Sequence, residues 1–373
     1  MDKDTVSLVV LSHGLWGVKS HMSYIEKKLK EKYRDSSICI LNSSINEAKY
    51  TYDGIDICGI RLANEIESTV ARFSKDGKQV KKISFIGYSL GGLITRFAIG
   101  VLGQRGVFKR IEPLYFITFA TPHLGVRLPS SSVVSSFFNL VSGKLVSRSG
   151  EQLQLIDNYQ HHEPLLEVMS DPDGVYFKYL SMFKVRRIYA NIANDRTVPY
   201  WTAGIELMDY FYNSKGKLDL TLDEAYISVI TAFDIRHSTK KSNGQMKAFK
   251  EKERKPLKTV ALKYTFYCLF PIAAPLFVLI ALSVLSYQGI ISRYRASQLL
   301  HKQQRLLKVE DKNESGRRKS TATDQIVHGE FLAGTLDAVN LMPPGEENDN
   351  TVSSLDDHPQ HNHYNNGNVF GFI

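Results

Sequence analysis

Short apolar runs alternate with amphipathic stretches through the first part of the chain. Apolar positions spaced three and four apart predict helices over Ser23–Tyr33 and Ile60–Ser74. Strands are predicted over six apolar runs: Val6–Leu11, Ser37–Leu41, Lys82–Ile86, Leu114–Phe119, Val185–Ile192 and Tyr226–Phe233. Strands separated by helical stretches are typical of a mostly parallel sheet, so the pattern predicts an α/β fold.

The six residues Gly87–Gly92 lie directly after one predicted strand and directly before a helix-like stretch. A Gly-x-Ser-x-Gly sequence in this context is typical of a nucleophile elbow, which holds a serine hydroxyl where a base can reach it. Because such a turn is strained, we expect Gly87 and Gly91 to permit the close approach of strand and helix. The context favours a catalytic Ser89 over a serine that only caps the helix.

A second turn, His13–Gly17, follows the first predicted strand. Lipases place an oxyanion donor at a turn of this kind. We expect the backbone N–H of Leu90, together with that of Gly14 or Leu15, to bind the oxyanion of a tetrahedral intermediate. His13 itself is interpreted as a structural histidine, because the base of this arrangement follows the nucleophile in chain order.

Asp195 follows a predicted strand and is the expected acid of a catalytic triad. The alternative is an aspartate that only forms a turn. Asp171 and Asp173 are the fallback, although their surroundings are more typical of a turn. His123, at the end of the strand Leu114–Phe119, is expected to line or brace the pocket.

His237 is the provisional catalytic base. It follows the predicted strand Tyr226–Phe233, where a last strand and its histidine loop are expected. The other downstream histidines are His301, His328 and a terminal cluster, in which His358, His361 and His363 reflect composition rather than a metal site. The predicted chemistry is a two-step acyl transfer that needs no metal or organic cofactor.

Five stretches resemble the fungal putative serine esterase and lipase family, which includes a lipid-droplet phospholipase. They are His13–Gly17, Thr51–Asp56, Gly87–Gly92, Ala120–Gly125 and Asn194–Pro199. The resemblance covers about residues 5–205 and the apolar segment further on. It implies an α/β-hydrolase fold and hydrolysis of acyl esters in lipids. It also implies that a base beyond this segment is an alternative to His237.

The net positive charge is concentrated in one region. Lys and Arg number 29 against 25 acidic residues over 1–239, 18 against 5 over 240–319, and 0 against 8 over 320–373. Binding to nucleic acid is therefore a poor explanation of the net positive charge. The basic region flanks the apolar run Tyr264–Tyr287, which is long enough to cross a bilayer as a helix. Pro271, Pro275 and basic residues on both sides favour a hairpin in one leaflet over a spanning helix.

We therefore predict three regions. Residues 1–239 form the α/β-hydrolase domain, in which 129–155 is a candidate cap or an ordinary buried helix. Residues 240–319 carry the membrane segment 264–287, and 320–373 form an acidic, largely disordered tail. The first residues do not resemble a secretory signal, and the three cysteines provide no disulfide framework. We expect the catalytic domain to face the cytosol at a lipid droplet or the endoplasmic reticulum membrane.

The predicted function is serine-dependent hydrolysis of a lipid acyl ester. A glycerophospholipid is the preferred substrate, followed by triacylglycerol or another long-chain ester. Two alternatives stay open: an acyltransferase that uses the same serine, and a catalytically silent α/β-hydrolase that acts as a membrane scaffold.

Overall fold

One eight-stranded sheet organises the described part of the chain in the computed structural model. The structure describes residues 4–33, 38–126, 147–160, 162–193, 195, 197–212, 218–235, 276, 279–280, 283–284, 286–298 and 368–372. The strands are β1 (Asp4–Ser12), β2 (Ile38–Asn42), β3 (Lys78–Tyr88), β4 (Glu112–Phe119), β5 (Val185–Asn191), β6 (Leu218–Leu222), β7 (Val229–Ile235) and β8 (Asn368–Phe372).

The strand order is β2-β1-β3-β4-β5-β8-β7-β6. Pairing is parallel from β2 through β8, and the β8–β7 and β7–β6 pairs are antiparallel. The prediction of an α/β fold with a mostly parallel sheet is confirmed.

Among the described residues, seven α-helices connect or follow the strands up to residue 204, and residues 286–298 are also helical. The first seven are α1 (Ser23–Lys32), α2 (Ile55–Lys75), α3 (Leu90–Gln104), α4 (Arg148–Leu153), α5 (Leu165–Ser170), α6 (Val175–Ser181) and α7 (Tyr200–Gly204). Residues 286–298 form α8. Short 3₁₀ helices cover Lys19–Met22, Ala48–Tyr52 and Val107–Lys109.

The two faces of the sheet are covered unequally. Successive side chains of a strand point to opposite faces, and in β1 the residues Leu8 and Val10 join the larger core formed with α2 and α3. Val9 and Leu11 join a smaller cluster with α1 on the other face. Tyr115 of β4 remains exposed. Among the described residues, the α1 face therefore carries the smaller of these two apolar clusters.

The predicted start of α2 is wrong by five residues. The helix begins at Ile55 rather than Ile60, directly after Gly54, whose φ of 111° ends the preceding loop. The N–H of Ile55 donates to Gln152 Oε1 at 2.6 Å. A partner 97 residues away thus stabilises the first turn, which the local apolar spacing does not reveal.

Within the tail that is expected to be largely disordered, Asn368–Phe372 form β8 between β5 and β7. β6 was not predicted from the sequence, and β7 begins three residues later than the predicted strand Tyr226–Phe233. These strands depend on partners that are distant in sequence, so composition alone does not identify them.

Most of the predicted membrane segment lies outside the described residues. Its described positions 276, 279–280, 283–284 and 286–287 are helical. No helix among the described residues is both long enough and apolar enough to cross a membrane. The candidate cap is also only partly described: 127–146 lie outside, and α4 at its end is a buried helix.

Candidate active site

Ser89 occupies the turn between β3 and α3 with strained backbone angles, φ 53° and ψ −128°. A positive φ is uncommon for a residue with a side chain and has an energetic cost. Hydrogen bonds on both sides hold the turn: the Ser89 N–H donates to Phe119 O at 2.8 Å, and Gly92 N–H donates to Ser89 O at 3.0 Å. The Thr121 hydroxyl donates to the same Ser89 oxygen at 2.9 Å. The predicted elbow geometry is therefore present.

Three glycines allow this turn to form. A Cβ on Gly87 would lie 2.4 Å from the Gly92 Cα, and a Cβ on Gly91 would lie 2.3 Å from the Ser12 carbonyl oxygen. A Cβ on Gly92 would lie 2.1 Å from the Thr121 Oγ1. The prediction that Gly87 and Gly91 must be small is confirmed, and Gly92 has the same restriction.

The turn after β1 lies directly against Ser89. A Cβ on Gly14 would be 2.7 Å from the Ser89 Cβ and 3.2 Å from its Oγ. The turn is closed by Gly17 N–H donating to Gly14 O at 3.0 Å. Within the described part of the chain, no hydrogen bond uses the N–H of Gly14, Leu15 or Leu90. These three N–H groups are the candidate oxyanion donors that the sequence predicts.

His13 is buried beside this turn, and burial lowers its pKa. Its Nδ1–H donates to the Gly14 carbonyl oxygen at 3.0 Å. A neutral imidazole that braces its own turn fits the structural role expected for His13.

His123 lies in the loop after β4 and is also buried. Burial, together with the positive charge of Arg96, lowers its pKa to about 3, so the imidazole is neutral at physiological pH. Its Nε2 shares a 2.9 Å hydrogen bond with Thr118 Oγ1, and its backbone N–H donates to Thr202 O at 3.1 Å. This geometry suits a brace between β4 and α7.

Asp195 follows β5 and is half-buried. Its Oδ1 accepts the N–H groups of Thr197 at 3.0 Å and Val198 at 2.9 Å, and its Oδ2 accepts from Asn191 Nδ2 at 3.0 Å. Burial raises the pKa of this carboxyl, but the hydrogen bonds outweigh burial and lower the pKa overall. Asp195 is thus ionised and fixed in place, and it forms the turn that was the alternative interpretation.

An apolar groove of about 300 Å³ lies beside the elbow. It joins Tyr88, the residue before Ser89, to Asn191, the donor to Asp195. Its walls include Met22 and Ile25, and the rings of Phe119 and Tyr189 stack at 4.8 Å. A groove of this composition can accept a hydrocarbon chain.

Sequence reasoning missed a buried polar layer that supports the turn after β1. Trp16 N–H donates to Thr51 Oγ1 at 3.0 Å, and Ser149 Oγ donates to Thr51 O at 2.6 Å. Asp56 is fully buried and accepts from Arg148 at 2.6 Å and from Gln152 at 3.0 Å. Only the stretch Thr51–Asp56 carried a signal, through the family resemblance.

The structure does not test the predicted base. His237 lies outside the described residues, as do His301, His328 and the terminal histidines. Asp171, the fallback acid, accepts the Asp173 N–H at 3.0 Å in an exposed turn, as expected of turn chemistry.

Three features define an α/β hydrolase. They are a mostly parallel sheet, a strained serine between a strand and the next helix, and a glycine turn packed on that serine. Residues 2–207 match the family described as putative serine esterase, DUF676. The chain belongs to this family, as its sequence motifs predict.

Proteins that are similar to this chain in sequence are described as putative lipases, which agrees with its membership of this family. The putative lipase ROG1 of Saccharomyces cerevisiae is 33% identical over 209 residues, which cover 54% of this chain and 29% of that protein. The putative lipase C4A8.10 of Schizosaccharomyces pombe is 29% identical over 219 residues, which cover 57% of this chain and 27% of that protein. The chain thus spans less than a third of the length of these curated relatives.

Among solved structures, the chain is similar to a lipase-esterase related protein from Clostridium acetobutylicum. The TM-score is 0.31 at 15% identity, and the match covers 57% of this chain and 92% of that one.

Proposed function

We propose that the chain is a serine-dependent hydrolase of lipid acyl esters. The observation that carries the proposal is the placement of Ser89 at positive φ, at the N-terminus of α3 and in contact distance of the Gly14 turn. In this position the hydroxyl is presented to a substrate next to backbone N–H groups that have no acceptor among the described residues. The relatives described as lipases support the choice of a lipid ester.

The proposed reaction has two steps. Ser89 Oγ attacks the ester carbonyl while a histidine accepts its proton, and the alcohol part of the lipid leaves with a proton from that histidine. Water then releases the fatty acid and restores Ser89. Asp195 stabilises the imidazolium, and the N–H groups of Leu90 and of Gly14 or Leu15 bind the oxyanion. His237 is the proposed base.

The apolar groove supports a long acyl chain. Its position beside Tyr88 would place the hydrocarbon next to the attacked carbonyl. A glycerophospholipid is the proposed substrate, presented at the surface of a lipid droplet or the endoplasmic reticulum membrane. The proposed anchor is the apolar run 264–287 within its basic region.

Fatty acid release by the purified chain tests this proposal. The substrates are phosphatidylcholine vesicles, a triacylglycerol emulsion and a soluble short-chain ester, each with wild type and Ser89→Ala. We expect release from the vesicles by wild type alone. A folded wild type that releases nothing from any substrate would contradict the proposal and favour the silent scaffold.

A further inference from the structure

Helix α8 (286–298) is joined to the hydrolase domain by two arginines. Arg293 Nη2 lies 2.7 Å from Glu151 Oε1. Arg295 donates to both oxygens of Asp53, at 2.6 and 3.2 Å. Both acceptors are buried, as are Ser292 and Ala296 of the helix. These residues define the docked face of α8.

The opposite face is apolar and exposed. At 3.6 residues per turn, Ile290 and Tyr294 lie about half a turn from Ser292 and Ala296. The same stripe continues through the described helical positions that precede α8. Its exposed members are Leu276, Leu279, Ile280, Val284, Tyr287, Ile290 and Tyr294. Ser283 is also exposed, and no described residue of the stripe is charged.

The sequence around the stripe identifies a lipid surface as its occupant. No charged residue occurs from Tyr264 to Ser292, so the stripe continues an uncharged stretch of 29 residues. Over 240–319, basic residues outnumber acidic ones by 18 to 5, which suits anionic headgroups at the edge of that stretch. Tyrosines such as Tyr287 and Tyr294 are favoured where an apolar layer meets water.

The docked face connects α8 to the support of the oxyanion turn. Asp53 lies two residues after Thr51, whose Oγ1 accepts the Trp16 N–H. Glu151, the partner of Arg293, lies in α4 two residues after Ser149, which donates to Thr51 O. Both arginine contacts therefore end on residues that lie two positions from members of the buried polar layer.

We propose that the exposed face of α8 docks on an anionic lipid surface and that Arg293 and Arg295 transmit this docking to the turn Gly14–Gly17. Lipid contact then steadies the oxyanion donors. The link to catalysis rests on the proposed function, whereas docking and steadying do not, so both are tested in the Ser89→Ala background.

The first experiment measures docking by flotation of the full chain with vesicles of phosphatidylcholine and phosphatidylserine. Ile280→Gln combined with Ile290→Gln keeps good helix formers but removes apolar surface. We expect at least a tenfold weaker partition into the vesicle fraction. The matched control, Tyr226→Gln with Ile227→Gln, removes exposed apolar side chains outside the stripe and should leave partition unchanged. Equal partition of both folded variants would overturn the docking.

The second experiment measures amide hydrogen exchange of Trp16 and Gly17 with and without the same vesicles. Arg293→Lys combined with Arg295→Lys keeps the charge but loses the two-pronged contact with Asp53. Arg61 Nη2 also contacts Asp53, at 2.6 Å, so this carboxylate keeps a partner. We expect vesicles to slow the amide exchange of Trp16 and Gly17 at least threefold in the Ser89→Ala protein. This slowing should be absent when Arg293→Lys and Arg295→Lys are combined with Ser89→Ala.

Three results would overturn the coupling. Vesicles could fail to slow amide exchange in the Ser89→Ala protein, or slow it equally when Arg293→Lys and Arg295→Lys are also present. The third result is that the two lysine substitutions abolish flotation with the vesicles. If the double variant does not fold, Arg293→Lys alone is expected to reduce the slowing. A stripe variant that changes the oligomeric state without lipid, while flotation is unchanged, would instead assign the face to a second copy of the chain.

Discussion

The elbow that presents Ser89 is fixed by close backbone packing, whereas the loop that carries Asp195 is fixed by hydrogen bonds to one carboxylate. Every residue of α3 from Leu90 to Gly103 is buried. Of the seven residues of β5, which leads to Asp195, only Ala190 is buried. Packing leaves little choice of residue at the elbow, whereas hydrogen bonding leaves several ways to build a turn.

The largest expected effect is the loss of the nucleophile. Ser89→Ala should lower kcat on a soluble short-chain ester by about four to six orders of magnitude, because only binding and the oxyanion donors remain. The free energy of unfolding should change by less than about 1 kcal/mol. Ser68→Ala, which removes an exposed hydroxyl that donates to Asn64 O, is the control and should be fully active. Activity near wild type in Ser89→Ala would remove Ser89 from the mechanism.

The next prediction tests Asp195 as the acid of the proposed triad, through the variant Asp195→Asn. Asparagine keeps an oxygen for the N–H groups of Thr197 and Val198, so the turn should survive, but it removes the negative charge behind the imidazolium. We expect kcat to fall by about three to four orders of magnitude, with a stability change below about 1 kcal/mol.

Asp171→Asn is the matched control, since Asp171 forms a comparable exposed turn with Asp173. It should leave kcat unchanged. If Asp195→Asn is equally harmless, Asp195 is only a turn residue and the acid lies elsewhere.

A third prediction concerns the packing of the elbow. In Gly91→Ala the new Cβ would meet the Ser12 carbonyl oxygen at 2.3 Å, and backbone cannot move aside cheaply. Unfolding in denaturant should show a loss of about 3 kcal/mol. In Gly77→Ala a Cβ meets no atom of the described residues within 4 Å, so only the strain of φ 77° remains, about 1 kcal/mol. Equal losses would show that the elbow is not tightly packed.

The smallest effect is a pH dependence near the buried polar layer. Burial, together with the charge of Asp56, raises the pKa of Asp157 from 3.8 to about 6, although Leu165 N–H donates to it. The unfolded carboxyl ionises first, so stability is lost as pH rises from about 4 to 6 and is constant above that range.

Asp157→Asn removes this dependence. Relative to wild type, it should gain at most about 3 kcal/mol between pH 4 and pH 7, which denaturant unfolding across that range would show. A wild type whose stability relative to the variant rises with pH would contradict the raised pKa.

The sequence predicts the elbow side well because its constraints are local. The apolar run before Gly87, the three glycines and the apolar helix after Ser89 are adjacent in the chain, and each is demanded by packing. The strands β1, β3, β4 and β5 were predicted within four residues at each end for the same reason.

Other parts of the fold depend on contacts between residues that are far apart in the sequence. β8 pairs with β5 across 181 residues, from Arg187 to Asn368, and the first turn of α2 depends on Gln152. Arg295 reaches Asp53 across 242 residues. Periodicity reports which face of an element is apolar but not which element covers it. The base remains a prediction, because His237 lies outside the described residues.

The most direct test of the account is covalent labelling of the full chain by a fluorophosphonate probe, followed by peptide mass spectrometry. Such probes react with a serine that is activated by a base, so we predict one modified peptide, containing Ser89, in wild type and none in folded Ser89→Ala. Labelling should also be lost in Asp195→Asn and retained in Asp171→Asn. A folded wild type in which Ser89 stays unmodified, with or without vesicles, would contradict the central claim that this elbow presents a working nucleophile.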